Sequence, residues 1–330
     1  MLRTALAIIF ATGLAAADQE LLNVSYDLAR DVYAKVNPLF AAHAQAASGA
    51  TVVIKQSHDG STKQARSVIE GLAADVVTMN SASDIDMISE LSKGALVPAD
   101  WAARLPHGSA PSASTHLILV REGNPKGIRD WGDLAGDGIG IVMVNPKTGG
   151  NGRYAYLALW TWAARQPGAT PDTIQAFMRK VLANVRTYEK GGKAASTTFA
   201  QRGIGDALLT FESEAVKLGQ EFNARFDTVI PSVSVRADNP VAVVAGVAGR
   251  KGPEQLALAE SYLRFLYTPA AQQVFADNHL RPVDPAVLAA NAARFPAIPL
   301  VGIDELGGWK ALIETHFKDG GLFDQLVKKP

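Results

Sequence analysis

Two segments of this chain share the same order of strand, glycine-containing loop and helix. The loops lie at residues 57–64 and 145–153. Each follows a β-rich run and leads into a helical pattern. Glycine lets a ligand approach the backbone closely, and the first turn of a helix offers unpaired N–H donors with partial positive charge. Two such loops in separate lobes predict an oxyanion held between domains.

The rest of the chain repeats this alternation of strand and helix. β-rich runs alternate with helical patterns over residues 21–78 and again over residues 138–211, a rhythm that is typical of a mostly parallel sheet. The Ser/Pro-rich stretch 108–114 and the β-rich run 226–235 are interpreted as crossings between two lobes. With 330 residues, of which 48% are hydrophobic, the chain is long enough for two domains. The predicted fold is therefore two α/β lobes, with the chain passing between them at least twice.

Residues 1–17 have the pattern of a secretory signal peptide. Arg3 precedes an apolar run from Ala5 to Leu14, and three alanines come before Asp18. The apolar run is too short to span a bilayer. A buried first helix is the alternative, but the small residues before Asp18 fit a cleavage site better. The mature protein is therefore expected to be soluble and exported.

Charge and cysteine content exclude several classes of function. Loss of the leader removes only Arg3 from 32 basic residues, so that the 32 acidic residues give a formal charge of −1. This balance provides no electrostatic case for a nucleic-acid partner or a membrane surface. The chain has no cysteine, which rules out disulfides and thiolate metal sites.

The sequence offers few candidates for catalysis, a metal site or a cofactor, and none is predicted. None of the six histidines has metal-ligand spacing to another, and we interpret them as surface or capping residues: His43, His58, His107, His116, His279 and His316. The chain contains no Gly-x-Ser-x-Gly elbow, and the loop 148–153 lacks the Gly-Lys-Ser/Thr ending of a nucleotide-binding loop. Lys147 and Arg153 flank that loop as anion contacts or as a solvated pair. Glu212 and Glu214 are interpreted as a solvated face rather than as paired catalytic carboxylates.

Several motifs resemble those of the periplasmic sulfate/thiosulfate-binding proteins of ABC importers. They run in order over nearly the whole mature chain: LLNVSYD at 21–27, QSHDGS at 56–61, ADVVT at 74–78, GNPK at 123–126, NPK at 145–147, RGIGD at 202–206 and GGW at 307–309. The resemblance implies a type II periplasmic-binding-protein fold, in which two α/β lobes joined by a hinge close on a ligand in the cleft. It also implies that one dehydrated oxyanion is delivered to a membrane permease.

The resemblance and the predicted crossings together give a division of the chain. Residues 1–17 form the signal peptide, residues 18–115 and 232–330 a discontinuous first lobe, and residues 116–231 the second lobe. The expected protein is a periplasmic monomer, without cofactor or catalysis, whose partners are an oxyanion and the transmembrane subunits of an ABC permease. The alternatives are an exported enzyme on the same fold, and a binding protein for a substituted sulfonate or phosphonate that docks on a sensor.

The resemblance also implies which residues hold the ligand. The family binds its dianion mainly through uncharged donors, since helix N-termini and backbone N–H groups replace water. The corresponding backbone donors in this chain are Asp27, Ser61, Gly150, Asn151 and Gly192. Asp27 is expected to contribute its N–H, because its carboxylate would repel an anion.

Two further site positions depart from the family pattern. Gly149 stands where the family has a serine hydroxyl, and Phe211 stands where it has an indole N–H. Losing a donor to a charged ligand costs about 1.5–3 kcal/mol, so unmodified sulfate is expected to bind less well unless Thr148 or a water restores a donor. The added room and the apolar wall of Phe211 favour a ligand with carbon or sulfur at its fourth vertex, such as a sulfonate or thiosulfate. Phe211→Trp is accordingly predicted to raise sulfate affinity.

Overall fold

The computed structural model describes residues 19–222 and 225–327, so the predicted signal peptide at residues 1–17 lies outside the described residues. The strands are β1 (Gln19–Tyr26), β2 (Val52–Asp59), β3 (Val76–Thr78), β4 (Ser112–Ser114), β5 (His116–Arg121), β6 (Ile141–Val144), β7 (Val185–Glu189), β8 (Ala207–Phe211), β9 (Phe226–Val229), β10 (Ser234–Val235), β11 (Ala237–Asn239), β12 (Val241–Val243), β13 (Arg281–Pro282) and β14 (Leu300–Val301).

The α-helices are α1 (Arg30–Ser48), α2 (Ser61–Ile69), α3 (Ala82–Leu91), α4 (Pro106–Ser109), α5 (Gly150–Ala164), α6 (Pro171–Ala183), α7 (Gly192–Ala200), α8 (Glu212–Glu221), α9 (Ala245–Lys251), α10 (Pro253–Phe265), α11 (Pro269–Asp277), α12 (Pro285–Ala290), α13 (Gly308–Leu312) and α14 (Leu322–Val327). Short 3₁₀ turns occupy Asp27–Ala29, Trp101–Ala103, Trp131–Ala135, Ala292–Arg294 and Asp304–Leu306, and a π-helical turn occupies Ile313–Phe317. No helix in the described ranges is both long and apolar enough to cross a bilayer.

The first sheet has the strand order β12-β3-β1-β2. β1 runs parallel to β2 and β3, and β12 returns antiparallel to β3. Successive side chains of β1 point to opposite faces: Leu21 joins the core under α1, whereas Val24 joins the core with α2 and α3. Because helices cover both faces, the central strand β3 is buried along its whole length. We call this sheet and its helices the first lobe.

The second sheet has the order β7-β6-β8-β5-β9. β6 is parallel to β7 and β8, and β5 is antiparallel to β8 and β9. Every residue of β6 and β8 is buried, as expected for central strands covered on both faces. We call this sheet with α5 to α8 the second lobe.

Paired crossing segments link the two lobes. The chain leaves the first lobe through β4 and returns through β10 and β11, and β4 pairs antiparallel with both β11 and β13. The Oγ1 of Thr115 donates to the carbonyl oxygen of Val235 at 3.0 Å, which ties the outgoing and returning segments together. Two adjacent crossings form a hinge about which the lobes can rotate. The exact division at residues 115/116 and 231/232 remains a prediction.

Residues 308–327, which we call the C-terminal segment, pack on the second lobe. The ring of Tyr156 on α5 lies 5.4 Å from the ring of His316, 5.3 Å from that of Phe317 and 6.0 Å from that of Phe323. Nη1 of Arg179 on α6 donates to the carbonyl oxygen of Gln325 at 2.9 Å. The predicted division assigned this segment to the first lobe, whereas these contacts are with helices of the second.

The interpretation of Glu212 and Glu214 as a solvated face is wrong. Both lie in the first turn of α8, and 2% of each residue is exposed. Glu212 accepts hydrogen bonds from Nε and Nη2 of Arg281 at 2.7 and 2.9 Å, and Glu214 accepts one from Oγ of Ser196 at 2.6 Å. Burial raises the pKa of both carboxyl groups. Their partners are remote in sequence, so the local pattern could not indicate burial.

Candidate functional site

Three helices of the two lobes begin at one junction, and each is preceded by a glycine. α2 belongs to the first lobe, and α5 and α7 belong to the second. Their N-cap residues make no side-chain hydrogen bond to the helix: Gly60, Gly149 and Gly191. Side chains do cap α6, α11 and α12. The first N–H groups of α2, α5 and α7 lack intrahelical partners and carry partial positive charge, which makes their starts candidate anion sites.

The start of α2 lies directly against the loops that lead into α5 and α7. A Cβ added to Gly60 would lie 3.1 Å from the carbonyl oxygen of Lys190 and 3.5 Å from that of Thr148. A side chain at position 60 would therefore crowd the Lys190 loop and touch the Thr148 loop of the second lobe. Glycine allows the three helix starts to approach each other this closely.

The start of α5 also touches the first lobe. A Cβ added to Gly150 would collide with Oδ1 of Asn80 and lie 2.9 Å from Cβ of Ser81. Both residues follow β3 directly. Gly149 has more room, because a Cβ there would meet only Cγ1 of Val144, at 3.7 Å. The absence of a side chain is thus required at position 150 but not at position 149.

The carboxylate of Asp27 is engaged by α7. Its Oδ2 accepts the N–H of Lys193 at 3.0 Å, and its Oδ1 accepts the N–H of Leu28 at 3.0 Å. Burial raises the pKa of Asp27, and these two backbone hydrogen bonds act in the opposite direction. The carboxylate therefore joins the first lobe to the start of α7. That the N–H of Asp27 binds the ligand stays a prediction.

Arg153 is buried at the junction, so its interpretation as half of a solvated pair is wrong. Its Nη1 donates to Oγ of Ser83 at 2.8 Å and to Oδ1 of Asp84 at 3.2 Å. The other carboxylate oxygen of Asp84 accepts the hydroxyl of Ser61 at 2.5 Å, which holds that hydroxyl away from a ligand. Lys147 instead pairs with Asp324 of the C-terminal segment, at 2.9 Å.

His116 lies buried at the candidate site, so its interpretation as a surface or capping residue is wrong. It begins β5 directly opposite Phe211 at the end of β8, and the two ring centroids are 4.3 Å apart. The Nε2 of His116 lies 3.1 Å from Oδ1 of Asn151 in the first turn of α5. Burial lowers the pKa of His116 to about 4, so the imidazole is neutral at pH 7. Only the antiparallel register of β5 and β8 brings it here, and no local pattern signals that.

Phe211 forms part of an aromatic wall beside the start of α5. Only 2% of the residue is exposed, and its ring lies 6.2 Å from that of Tyr154. Tyr154 in turn contacts Trp309 of the C-terminal segment at 5.2 Å. Any ligand at the helix starts would therefore meet an apolar surface on this side.

The structure brings all the expected site residues to helix starts or strand ends around the junction: Asp27, Ser61, Gly149, Gly150, Asn151, Gly192 and Phe211. Their contacts with a ligand remain predictions. Within residues 19–222 and 225–327, no group of three or more His, Asp or Glu side chains is arranged to hold a metal ion.

A family model for bacterial extracellular solute-binding proteins matches residues 23–281. This chain belongs to that family. The thiosulfate-binding protein of Pseudomonas aeruginosa is 48% identical to this solute-binding protein over 316 residues, 95% of this chain and 94% of that one. The sulfate-binding protein of Escherichia coli is 42% identical over 321 residues, 97% and 96% of the two chains.

The solved structure of the sulfate-binding protein SubI from Mycobacterium tuberculosis superimposes with a TM-score of 0.79 at 30% identity, covering 90% of this solute-binding protein and 98% of that chain. The predicted fold class of two α/β lobes is confirmed by this match. The resemblance that the motifs indicated is confirmed by the sequence relatives.

Proposed function

We propose that this protein is the periplasmic solute-binding component of an ABC importer. Its ligand is sulfate or a related tetrahedral oxyanion such as thiosulfate or a sulfonate. The observation that carries the proposal is the meeting of three glycine-preceded helix N-termini between the lobes. The names of the relatives support the class of ligand.

The proposed ligand donors are backbone N–H groups rather than counter-charges. The charged side chains of Arg153 and Asp27 already have partners within the protein, because Arg153 pairs with Asp84 and Asp27 caps α7. Helix-start N–H groups bear partial positive charge that can replace the water around a dianion. The donors would be the N–H groups of five residues, with Gly149 and Phe211 lining the site: Asp27, Ser61, Gly150, Asn151 and Gly192.

The proposed mechanism is closure of the lobes about the hinge. The ligand binds donors from both lobes and therefore favours the closed form, in which Gly60 and Gly150 contact the opposite lobe. The permease would read this closed form. In this proposal the exported protein acts as a monomer and neither performs chemistry nor needs a cofactor.

Isothermal titration calorimetry with sulfate and thiosulfate tests the proposal, with Gly150→Ala as the variant. The added methyl would collide with Asn80, so we expect affinity to fall roughly tenfold or more as closure becomes strained. Gly249→Ala is the matched control, because a Cβ there has nothing within 4 Å. Absence of binding by both anions at millimolar concentration would refute the proposal. A loss of binding in EDTA that zinc restores would favour an enzyme.

A further inference from the structure

Three buried side-chain atoms near the start of α5 have no hydrogen-bond partner within the described chain: Asn80 Oδ1, His116 Nδ1 and Asn151 Nδ2. Between 1% and 4% of each of these residues is exposed. Unpaired buried polar groups are rare, because each has given up its hydrogen bonds to water. Several at one place indicate a polar group that binds there.

These atoms surround a proposed ligand donor. Asn151 is the second residue of α5, and its side chain bonds to His116 at 3.1 Å. Asn80 Oδ1 packs against the preceding residue, Gly150. The polar group that they bind would therefore sit beside an anion at the helix starts.

The hydrogen-bonding capacity of the His116–Asn151 pair restricts the ligand. A neutral imidazole has one donor and one acceptor, and an amide has both kinds of atom. Whichever ring nitrogen carries the proton, and whichever way the amide is turned, their mutual bond uses one donor and one acceptor. At least one donor and one acceptor are then left unpaired. A single group can satisfy both only if it both accepts and donates.

Sulfate and thiosulfate carry no hydrogen at neutral pH, so they can accept but cannot donate. They would pair with the free donor of His116–Asn151 and leave its acceptor unpaired, which is costly in a buried site. A hydroxyl does both. An ammonium group donates but cannot accept, so it would leave the free donor of the pair unpaired.

We infer that the His116–Asn151 pair selects an oxyanion with a hydroxyl-bearing substituent, namely a short hydroxyalkylsulfonate. The sulfonate group would take the helix-start donors, so this inference rests on the proposed function. Gly149, where a Cβ would meet only Val144 at 3.7 Å, and the ring of Phe211 would border the carbon chain. His116 and Asn151 are then specificity-determining residues.

Calorimetry of the purified protein with 2-hydroxyethanesulfonate and ethanesulfonate measures directly how much the hydroxyl group contributes to affinity. We expect the hydroxylated ligand to bind about tenfold more tightly. In His116→Phe, which keeps a ring but loses both nitrogens, this ratio should fall to within about threefold. Asn151→Ala, which keeps the backbone N–H, provides the same test should His116→Phe not fold. Thr161→Val is the control, because Thr161 is a buried, unpartnered hydroxyl further along the same helix.

Equal affinity of the wild type for the two sulfonates would overturn the inference, as would a ratio that survives in both variants. Sulfate and thiosulfate are titrated alongside. Binding of either anion without a preference for the hydroxyl overturns this inference alone and leaves the proposed function intact. Absence of binding by all four anions overturns both.

Discussion

Arg153 of α5 and Asp84 of α3 form a buried ion pair between the lobes, with 3.2 Å between Nη1 and Oδ1. Their side chains are 8% and 1% exposed. Ser61 and Thr62 at the start of α2 also donate their hydroxyl hydrogens to Asp84. The pair therefore links the starts of α2 and α5 that flank the proposed ligand site.

Asp84→Asn should lower the free energy of unfolding by about 3 kcal/mol, because it leaves the guanidinium of Arg153 buried without its counter-charge. Urea denaturation measures the change. Asp100→Asn is the control, because it breaks a surface ion pair with Arg104. The side chain of Arg104 is 52% exposed and that of Asp100 is 64% exposed, so the loss of this pair should cost no more than about 1 kcal/mol. Equal losses of unfolding free energy in both variants would show that the interlobe ion pair stabilises the protein no more than an exposed pair does.

Gly149→Ser should raise sulfate affinity by about 1.5 kcal/mol by adding a hydroxyl donor to a charged ligand. The φ of Gly149 is −167°, which any residue adopts, and a Cβ fits 3.7 Å from Val144. Gly191→Ser is the control, since its φ is −165° but its Cβ would lie 2.8 Å from Oδ2 of Asp27. Calorimetry with sulfate should show a gain for the first variant and none for the second; the reverse order would contradict this prediction.

Phe211→Trp needs a companion change that the sequence could not indicate. The ring of Phe211 is enclosed by His116 at 4.3 Å, so a larger indole overpacks the site at a cost of about 1–3 kcal/mol in stability. We expect the gain in sulfate affinity only in Phe211→Trp combined with His116→Ala. Titration of the single and double variants checks this, and a single variant that gains as much as the double would disprove it.

The stability of the protein should depend on the protonation of His116. In the unfolded chain this histidine binds a proton below its ordinary pKa of 6.5, whereas in the folded protein burial lowers the pKa to about 4. Stability is therefore retained above pH 6.5 and lost as the pH falls from 6.5 to 4, by about 3 kcal/mol.

The pH effect is measured as the difference in the free energy of unfolding between wild type and His116→Phe across this range. Groups such as Glu214, whose pKa is raised, cancel in that difference. The wild type should lose stability relative to the variant as the pH falls. Parallel curves would show that His116 is not neutral in the fold.

Local signals in the sequence predict the elements better than they predict the contacts. The alternation of strands and helices predicted over residues 138–211 ends on β8, and α6 begins at Pro171 because Thr170 caps it. The loop predicted at 57–64 is shorter in the structure, because β2 keeps its pairing with β1 as far as Asp59. Strand pairing of that kind depends on a distant segment and leaves no local pattern.

The candidate site shows the same limit. Motifs located the helix starts, but they could not locate the groups that surround them. His116 and Asn151 are 35 residues apart, and Arg153 and Asp84 are 69 residues apart. A histidine at the head of an apolar strand and an arginine in a glycine-rich loop resemble ordinary surface residues until the sheets are assembled.

The packing of the C-terminal segment on Tyr156 sets an order for the maturation of the chain. The rings that cover Tyr156 are those of His316, Phe317 and Phe323. The first of them is synthesised 160 residues after Tyr156. A nascent chain that ends before residue 308 presents an open aromatic surface on α5, and such surfaces promote aggregation. The second lobe thus reaches its final packing only after residues 316–323 have been made and have docked on α5.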